Sequence, residues 1–170
     1  HPDPYNALPL PSREYPDIEK FDSKLQDVGL DDRIERALKL EAAARAVDNR
    51  ITKVRQAAVS DASYEAHLAN SKGISLWSRG TSCTASVMAV AEANGDAQIG
   101  WDFDHSFFFQ KLDVAPVGQN AARRALCLLG ARQIETATVP IILDAPVAAE
   151  FLAAVGHALM AAQVQKRKSL

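Results

Sequence analysis

Scarcity shapes the first reading of this 170-residue sequence. It holds two cysteines, Cys83 and Cys127, both in apolar segments and at no spacing that suits a metal. A disulfide framework is thereby excluded as the main support, and two packed, reduced thiols point to a cytoplasmic setting. Net charge is equally scarce. Nineteen lysines and arginines against 21 aspartates and glutamates leave −2, so no basic field exists to hold nucleic acid or an acidic membrane surface directly. No run of about 18 apolar residues without charge occurs, and the N-terminus lacks a charged-then-apolar signal pattern. Neither nucleic acid nor membrane is an expected partner. The eight glycines form no phosphate-cradling loop, and no serine sits in a nucleophile elbow.

What the chain does hold is a globular composition, 48% hydrophobic and 24% charged, at a length that supports one sizeable core. Residues 1–29 carry five of the eight prolines, which fix φ and remove donors, so this stretch reads as an extended connector. Asp32–Asp48 reads as a helix, with Asp32 and Glu35 as a capping-box-like start and Leu30 as a staple. Its apolar side is Ile34, Ala37, Leu38, Leu40, Ala42, Ala44 and Val47, and Arg33, Glu35, Arg36, Lys39 and Arg45 are assigned to solvent.

From Lys53 onward the period changes to two. Val54–Ser60, Ser63–Ala69, Ile74–Ser78, Ser82–Ala93 and Ala97–Phe103 read as strands. They are separated by Ser60-Asp61, Asn70-Ser71-Lys72-Gly73, Arg79-Gly80 and Asn94-Gly95-Asp96, the last a strong hairpin signal. Close turns imply antiparallel neighbours and hence a meander. Pro116–Leu129 reads as a second helix with Gly130 as its left-handed stop. Val139–Leu143 then reads as a short strand, followed by a helix from Asp144-Ala145-Pro146 to about Val164 whose alanine-rich sides predict burial. The fold class is α+β: an antiparallel β-meander with packed helices, plus the first strand and helix of a further, truncated domain. The expected divisions are 1–29, 30–134 and 135–170. The uncapped ends, His1 and Leu170, suggest an internal piece of a longer protein.

Few residues offer chemistry. Asp102, Asp104 and His105 would be a metal cluster only with a further ligand, and none is near, so a polar strand face and turn is the better reading. His67 alternates outward beside Glu65. Ser82, Cys83 and Ser86 have no base at a distance visible in sequence. His157 stands alone on an apolar helix: Leu152, Ala153 and Ala154, about one turn before it, bind no metal and move no proton.

A series of landmarks in order is more informative. They are Asp3-Pro4-Tyr5 with Leu8-Pro9; Val47-Asp48-Asn49-Arg50-Ile51; Asn70-Ser71-Lys72-Gly73; Glu92-Ala93-Asn94-Gly95; Val117-Gly118 through Leu126; Leu129-Gly130-Ala131-Arg132; Val139-Pro140-Ile141-Ile142; and Arg167-Lys168-Ser169-Leu170. With these the sequence resembles the TldD/PmbA family, whose members are described as modulators of DNA gyrase and as peptidases. The resemblance implies proteins more than twice this length, of which this chain would be the middle. It also implies two kinds of subunit. TldD-like subunits carry an H-E-x-x-x-H zinc helix; PmbA (TldE)-like subunits share the architecture and lack the ligands. On that helix Leu152 stands at the first histidine, Ala153 at the glutamate, and only His157 keeps a ligand type, so the site looks degenerate.

The resemblance therefore implies a piece of a PmbA-like, non-catalytic subunit of a cytoplasmic metalloprotease that trims or degrades unfolded peptides. No cofactor is expected in this chain, with zinc in the TldD-like partner, and the partner is that catalytic subunit or a second copy. No catalytic or metal residue is assigned. Candidate peptide contacts are Asn70, Ser71, Arg79, Lys166, Arg167 and Lys168. The alternatives are an active zinc peptidase with ligands supplied beyond Leu170, and a gyrase-modulating interaction protein without proteolytic connection.

Overall fold

The computed structural model describes residues 7–169; the Asp3-Pro4-Tyr5 landmark and Leu170 lie outside them. The elements are α1 (Leu30–Arg45), β1 (Ile51–Ala69), β2 (Ser75–Ala93), β3 (Asp96–Ser106), α2 (Val114–Leu128), α3 (Ala145–Ala158) and α4 (Ala161–Gln165), with single 3-10 turns at Leu25–Asp27 and Phe109–Lys111. Contacts divide the chain into two compact units, one ending at Ala131 and one beginning at Arg132.

In the first unit the three strands lie in the order β1-β2-β3, antiparallel throughout. This is the expected meander with fewer, longer strands. Asn94 and Gly95 take φ of 52° and 81°, the pair of positive values that a two-residue hairpin turn needs, and Ala93 pairs directly with Asp96. Gly73 is likewise left-handed. Asn70 Oδ1 accepts from Lys72 N at 2.9 Å and Ile74 N at 3.1 Å, closing the β1–β2 turn. The other two expected turns do not exist. Ser60-Asp61 and Arg79-Gly80 run through the ladder, paired with Thr84, Cys83, Glu65 and Tyr64. Each has a partner that offsets its turn preference. Asp61 binds Arg33, and the ring of Tyr64 covers Gly80, where any Cβ would overlap it.

One face of the sheet carries the core. Cys83, Ala85, Val87, Ala89 and Ala91 alternate inward along β2, as a half-buried strand must. Helices α1 and α2 pack over this face, and Phe109 and Leu40 are the largest side chains sealed between the layers. Burying each contributes roughly 1.5–3 kcal/mol. Two glycines set the layer spacing. A Cβ on Gly118 would come within 2.9 Å of Ala43 Cβ and Ala44 N of α1, and one on Gly100 would strike the α2 backbone at Ala121 and Ala125.

Helix α1 departs from expectation in two ways. It begins two residues earlier, with Gly29 as N-cap and Asp32 as the third helical residue, whose carboxylate accepts Gly29 N at 2.9 Å. Leu30 lies inside the helix, exposed, and is no staple. The docked face is also rotated: Leu40 and Ala44 are buried, whereas Ile34 and Leu38 are exposed. Arg33 and Arg36 are correspondingly half-buried, not wetted. Arg36 Nη1 donates to Phe109 O at 2.6 Å and Leu112 O at 2.8 Å, with its guanidinium 4.3 Å from the Phe109 ring centre. Helix α2 starts at Val114, where Asp113 accepts from Ala115 N at 3.3 Å, and the stop at Gly130 has the expected φ of 71°.

In the second unit, Val139–Leu143 forms no strand. Its β-branched residues supply propensity, but a strand persists only within a ladder, and no partner pairs with it. Helix α3 follows with Pro146 in its first turn, and Ala148 N donates to Asp144 O at 2.8 Å. The expected helix to Val164 is interrupted at Leu159-Met160, where no proline or glycine stands. Neither α3 nor α4 has a buried residue, contrary to the burial predicted from alanine content. A unit of this size encloses too little surface to form a core from its own residues.

Candidate functional site

The outer parts of β1 and β2, Ser63–Ala69 with Ser75–Thr81, pair with each other past the end of β3, whose last partner is Cys83. This two-stranded ribbon carries three of the candidate contacts. Asn70 is at its tip, but its polar atoms are engaged: besides the turn bonds, Nδ2 donates to Pro9 O at 2.9 Å. Ser71 beside it is exposed. Arg79 lies with its guanidinium 4.1 Å from the Phe21 ring centre and 5.8 Å from that of Trp77, arrangements that hold a cation by ring quadrupole. Pro16–Phe21 and Trp77–Arg79 enclose a shallow hollow of about 410 Å³ here. Lys166, Arg167 and Lys168 belong to the second unit and are exposed, Arg167 with a left-handed φ of 55°.

The acidic pair on β3 serves structure. Asp102 Oδ1 accepts from Arg124 Nη1 at 2.8 Å, and Asp104 Oδ1 accepts from the N–H of His105 at 2.9 Å. One contact was invisible in the sequence: Ser82 Oγ lies 3.1 Å from His105 Nε2. The hairpin signal at Asn94-Gly95 held the means to find it, because that turn sets Thr84 opposite His105. Asp104 points to the other face from His105, as alternate strand residues do, so it does not orient this imidazole. His67 Nε2 approaches Ser75 Oγ at 3.2 Å on the ribbon.

On α3, Leu152, Ala153 and His157 are exposed, and Gln163 Nε2 lies 3.4 Å from His157 Nε2. Leu152 and Ala153 have no donor atom, so this helix does not fit zinc. Among the described residues, no three His, Cys, Asp or Glu side chains are grouped to hold a metal ion.

The main electrostatic feature joins α1 to β1. Arg33 Nε and Nη2 reach Asp61 Oδ1 and Oδ2 at 2.6 and 3.0 Å, and Arg33 Nη1 also bonds the carbonyls of Val28 and Gly29. Arg33 holds the Asp61 carboxyl below its ordinary range, chiefly through these hydrogen bonds. Asp48, bonded by Arg50, falls to about 2, and burial pushes the Cys83 thiol up.

A layer of two helices on a three-stranded antiparallel meander defines an α+β domain, and residues 23–129 match the family model of the PmbA/TldA metallopeptidase central domain. The chain belongs to this family. It is similar in structure to a protein described as a modulator of DNA gyrase from Thermotoga maritima, with 19% identity and a TM-score of 0.67, covering 76% of this chain and 30% of that one. A second modulator of DNA gyrase, from Bacteroides thetaiotaomicron, shares 25% identity with a TM-score of 0.66 over 76% of this chain and 31% of its own. TldE from Thermococcus kodakarensis gives 22%, 0.58, 74% and 28% in the same measures. The chain thus spans under a third of the length of each. No curated protein matches it. Among the described residues no helix is long and apolar enough to cross a membrane.

Proposed function

We propose that this chain is part of a PmbA/TldE-like, non-catalytic subunit of a cytoplasmic metalloprotease, one that handles unfolded peptides beside a zinc-bearing TldD-like subunit. One observation carries the proposal. Where the family resemblance places the zinc helix, α3 presents Leu152 and Ala153, which cannot ligate or act as a base, and keeps only His157. A zinc peptidase needs about three protein ligands, a bound water and a base. The chain's own contribution would be to hold peptide. Among the described residues, both outer edges of its sheet, along β1 and β3, lack a strand partner, and an extended peptide adds to such an edge through backbone hydrogen bonds. Ser71 lies in the turn at the ribbon's tip and Arg79 toward its base, and the basic Lys166-Arg167-Lys168 offers charge for a peptide carboxylate.

The test is zinc analysis and peptide hydrolysis with the full-length protein, alone and with a TldD-like subunit. The expected result is no stoichiometric zinc and no cleavage alone, with cleavage in the pair. Stoichiometric zinc that is lost in His157→Ala would overturn the proposal and favour an active peptidase.

A further inference from the structure

Strand β2 outruns β3. Its last rung with β3 sets Cys83 opposite Ser106, and from Thr81 back to Ser75 no described strand lies along its far edge. Thr81 N donates to Lys20 O at 2.8 Å on that edge, away from β1. Backbone groups alternate in direction along an antiparallel ladder, so the N–H and C=O of Trp77 and Arg79 face the same way as those of Thr81. Among the described residues neither N–H meets an acceptor.

The connector arches over this edge as a strap. Asn70 Nδ2 holds Pro9 O at one end and Thr81 N holds Lys20 O at the other. Among the described residues no hydrogen bond joins residues 10–19 to β2. The strap is longer than the path it follows. Pro9 to Lys20 is eleven steps, about 34 Å even as polyproline II. Asn70 lies opposite Ile74, whose carbonyl accepts its N–H. Ile74 to Thr81 is only seven steps, about 23 Å along a strand. The surplus lets the strap's midpoint stand about 12 Å from the edge, and one strand inserted between them needs about 10 Å. The hollow of about 410 Å³ between Pro16–Phe21 and Trp77–Arg79 lies in this gap.

We propose that the connector is a clamp, bowing outward to admit an extended peptide segment between itself and β2, where the segment continues the line of β3. This deepens the peptide-handling reading and rests on it. Three features favour this slot over the outer edges of β1 and β3. Its donors and acceptors repeat every second residue, the pattern that an extended backbone answers. The strap covers the inserted segment, and hydrogen bonds shielded from water are electrostatically stronger. The ring of Trp77, 59% exposed, also offers an apolar platform to one side chain of the segment, with the Arg79 guanidinium 5.8 Å from the ring centre.

The experiment is hydrogen–deuterium exchange of the full-length protein with a probe peptide of alternating valine and threonine, blocked at both ends. The same peptide methylated on every backbone nitrogen is the control, and it keeps the test decisive if a variant fails to fold. The probe should slow the amides of Trp77 and Arg79 within Ser75–Thr81, and the methylated peptide should slow neither. Deleting Arg13-Glu14-Tyr15 leaves a strap of about 25 Å, enough to span its ends and too short to bow over a strand. Probe affinity should then fall about tenfold or more. Arg79→Pro removes one edge donor while sparing the β1 ladder and should weaken binding roughly two- to tenfold; Arg79→Ala keeps the N–H and should not. Circular dichroism checks that each variant is folded. Slowing confined to β1 or β3, or unchanged affinity in the folded deletion, overturns the clamp and leaves peptide handling standing. No slowing anywhere overturns both. Slowing at Ser75–Thr81 in a protein that supports no cleavage beside a TldD-like subunit upholds the clamp and removes the protease reading alone.

Discussion

The carboxylate of Asp22 accepts the backbone N–H of Phe109 at 3.0 Å, across 87 positions of sequence. Its other oxygen accepts Lys24 N, and its own N–H donates to Thr81 Oγ1 at 2.9 Å. The Thr81 hydroxyl in turn donates to Phe107 O, and Thr81 N to Lys20 O at 2.8 Å. Asp22 and Thr81 are both buried. The proline-rich connector is thus clasped to the corner where β3 ends, and by residue 20 it has become part of the domain.

Asp22→Ala should therefore cost about 1–3 kcal/mol, since it strands a buried N–H at Phe109. Urea denaturation measures the loss, and limited trypsin digestion should find Lys20 and Lys24 sooner. Asp22→Asn, which keeps one acceptor oxygen, should fall between. Equal stability of all three proteins would show that the clasp contributes nothing.

Two helical glycines should respond oppositely to alanine. Gly118→Ala forces a methyl against the α1 backbone, which cannot move aside as a side chain tip would, and should destabilise by about 1–3 kcal/mol. In Gly156 nothing lies within 4 Å of the added Cβ, so alanine there should favour helix α3 by up to about 1 kcal/mol. Thermal melts of the first and helical content of the second decide the matter.

The Arg33–Asp61 pair predicts an acid limb. Asp61 has its folded value below its ordinary 3.8, so the stabilisation is fully present above about pH 4 and fades as pH falls through the lowered value. Asp61→Asn should cost about 1 kcal/mol near neutrality, given partial solvent screening. It should also make stability less dependent on pH below 4. A denaturation series from pH 2 to 7 on both proteins measures this, and parallel curves would exclude the pair as the source.

Local signals were legible where backbone geometry alone decided the outcome. Asn94-Gly95 and Gly130 required positive φ, and each marks a turn or stop. Signals failed where tertiary partners decided. Ser60-Asp61 looks like a turn until Arg33 is present to bind Asp61, and Arg79-Gly80 until Tyr64 covers the glycine. Helix α1 was misread for a related reason. Its apolar count favoured Ile34 and Leu38, but Arg36 faces inward because carbonyls of Phe109 and Leu112 need donors, a demand arising more than 70 residues away. On the candidate site, the lack of any metal-binding atom in the side chains of Leu152 and Ala153 was evident from residue type. The engagement of Asn70 by Pro9 required the folded chain, whereas the meeting of Ser82 with His105 was implicit in the register that the Asn94-Gly95 hairpin sets.

The meander also has a kinetic meaning. Neighbouring strands are neighbours in sequence and are joined by tight turns, so both hairpins close short loops and lose little chain entropy in doing so. The clasp around Asp22 instead joins residues 22, 81, 107 and 109 and must wait until β2 and β3 are in register. Its bonds therefore form only once that register is set, and hydrogen exchange at the Phe109 N–H is the expected readout of whether the connector opens separately from the sheet.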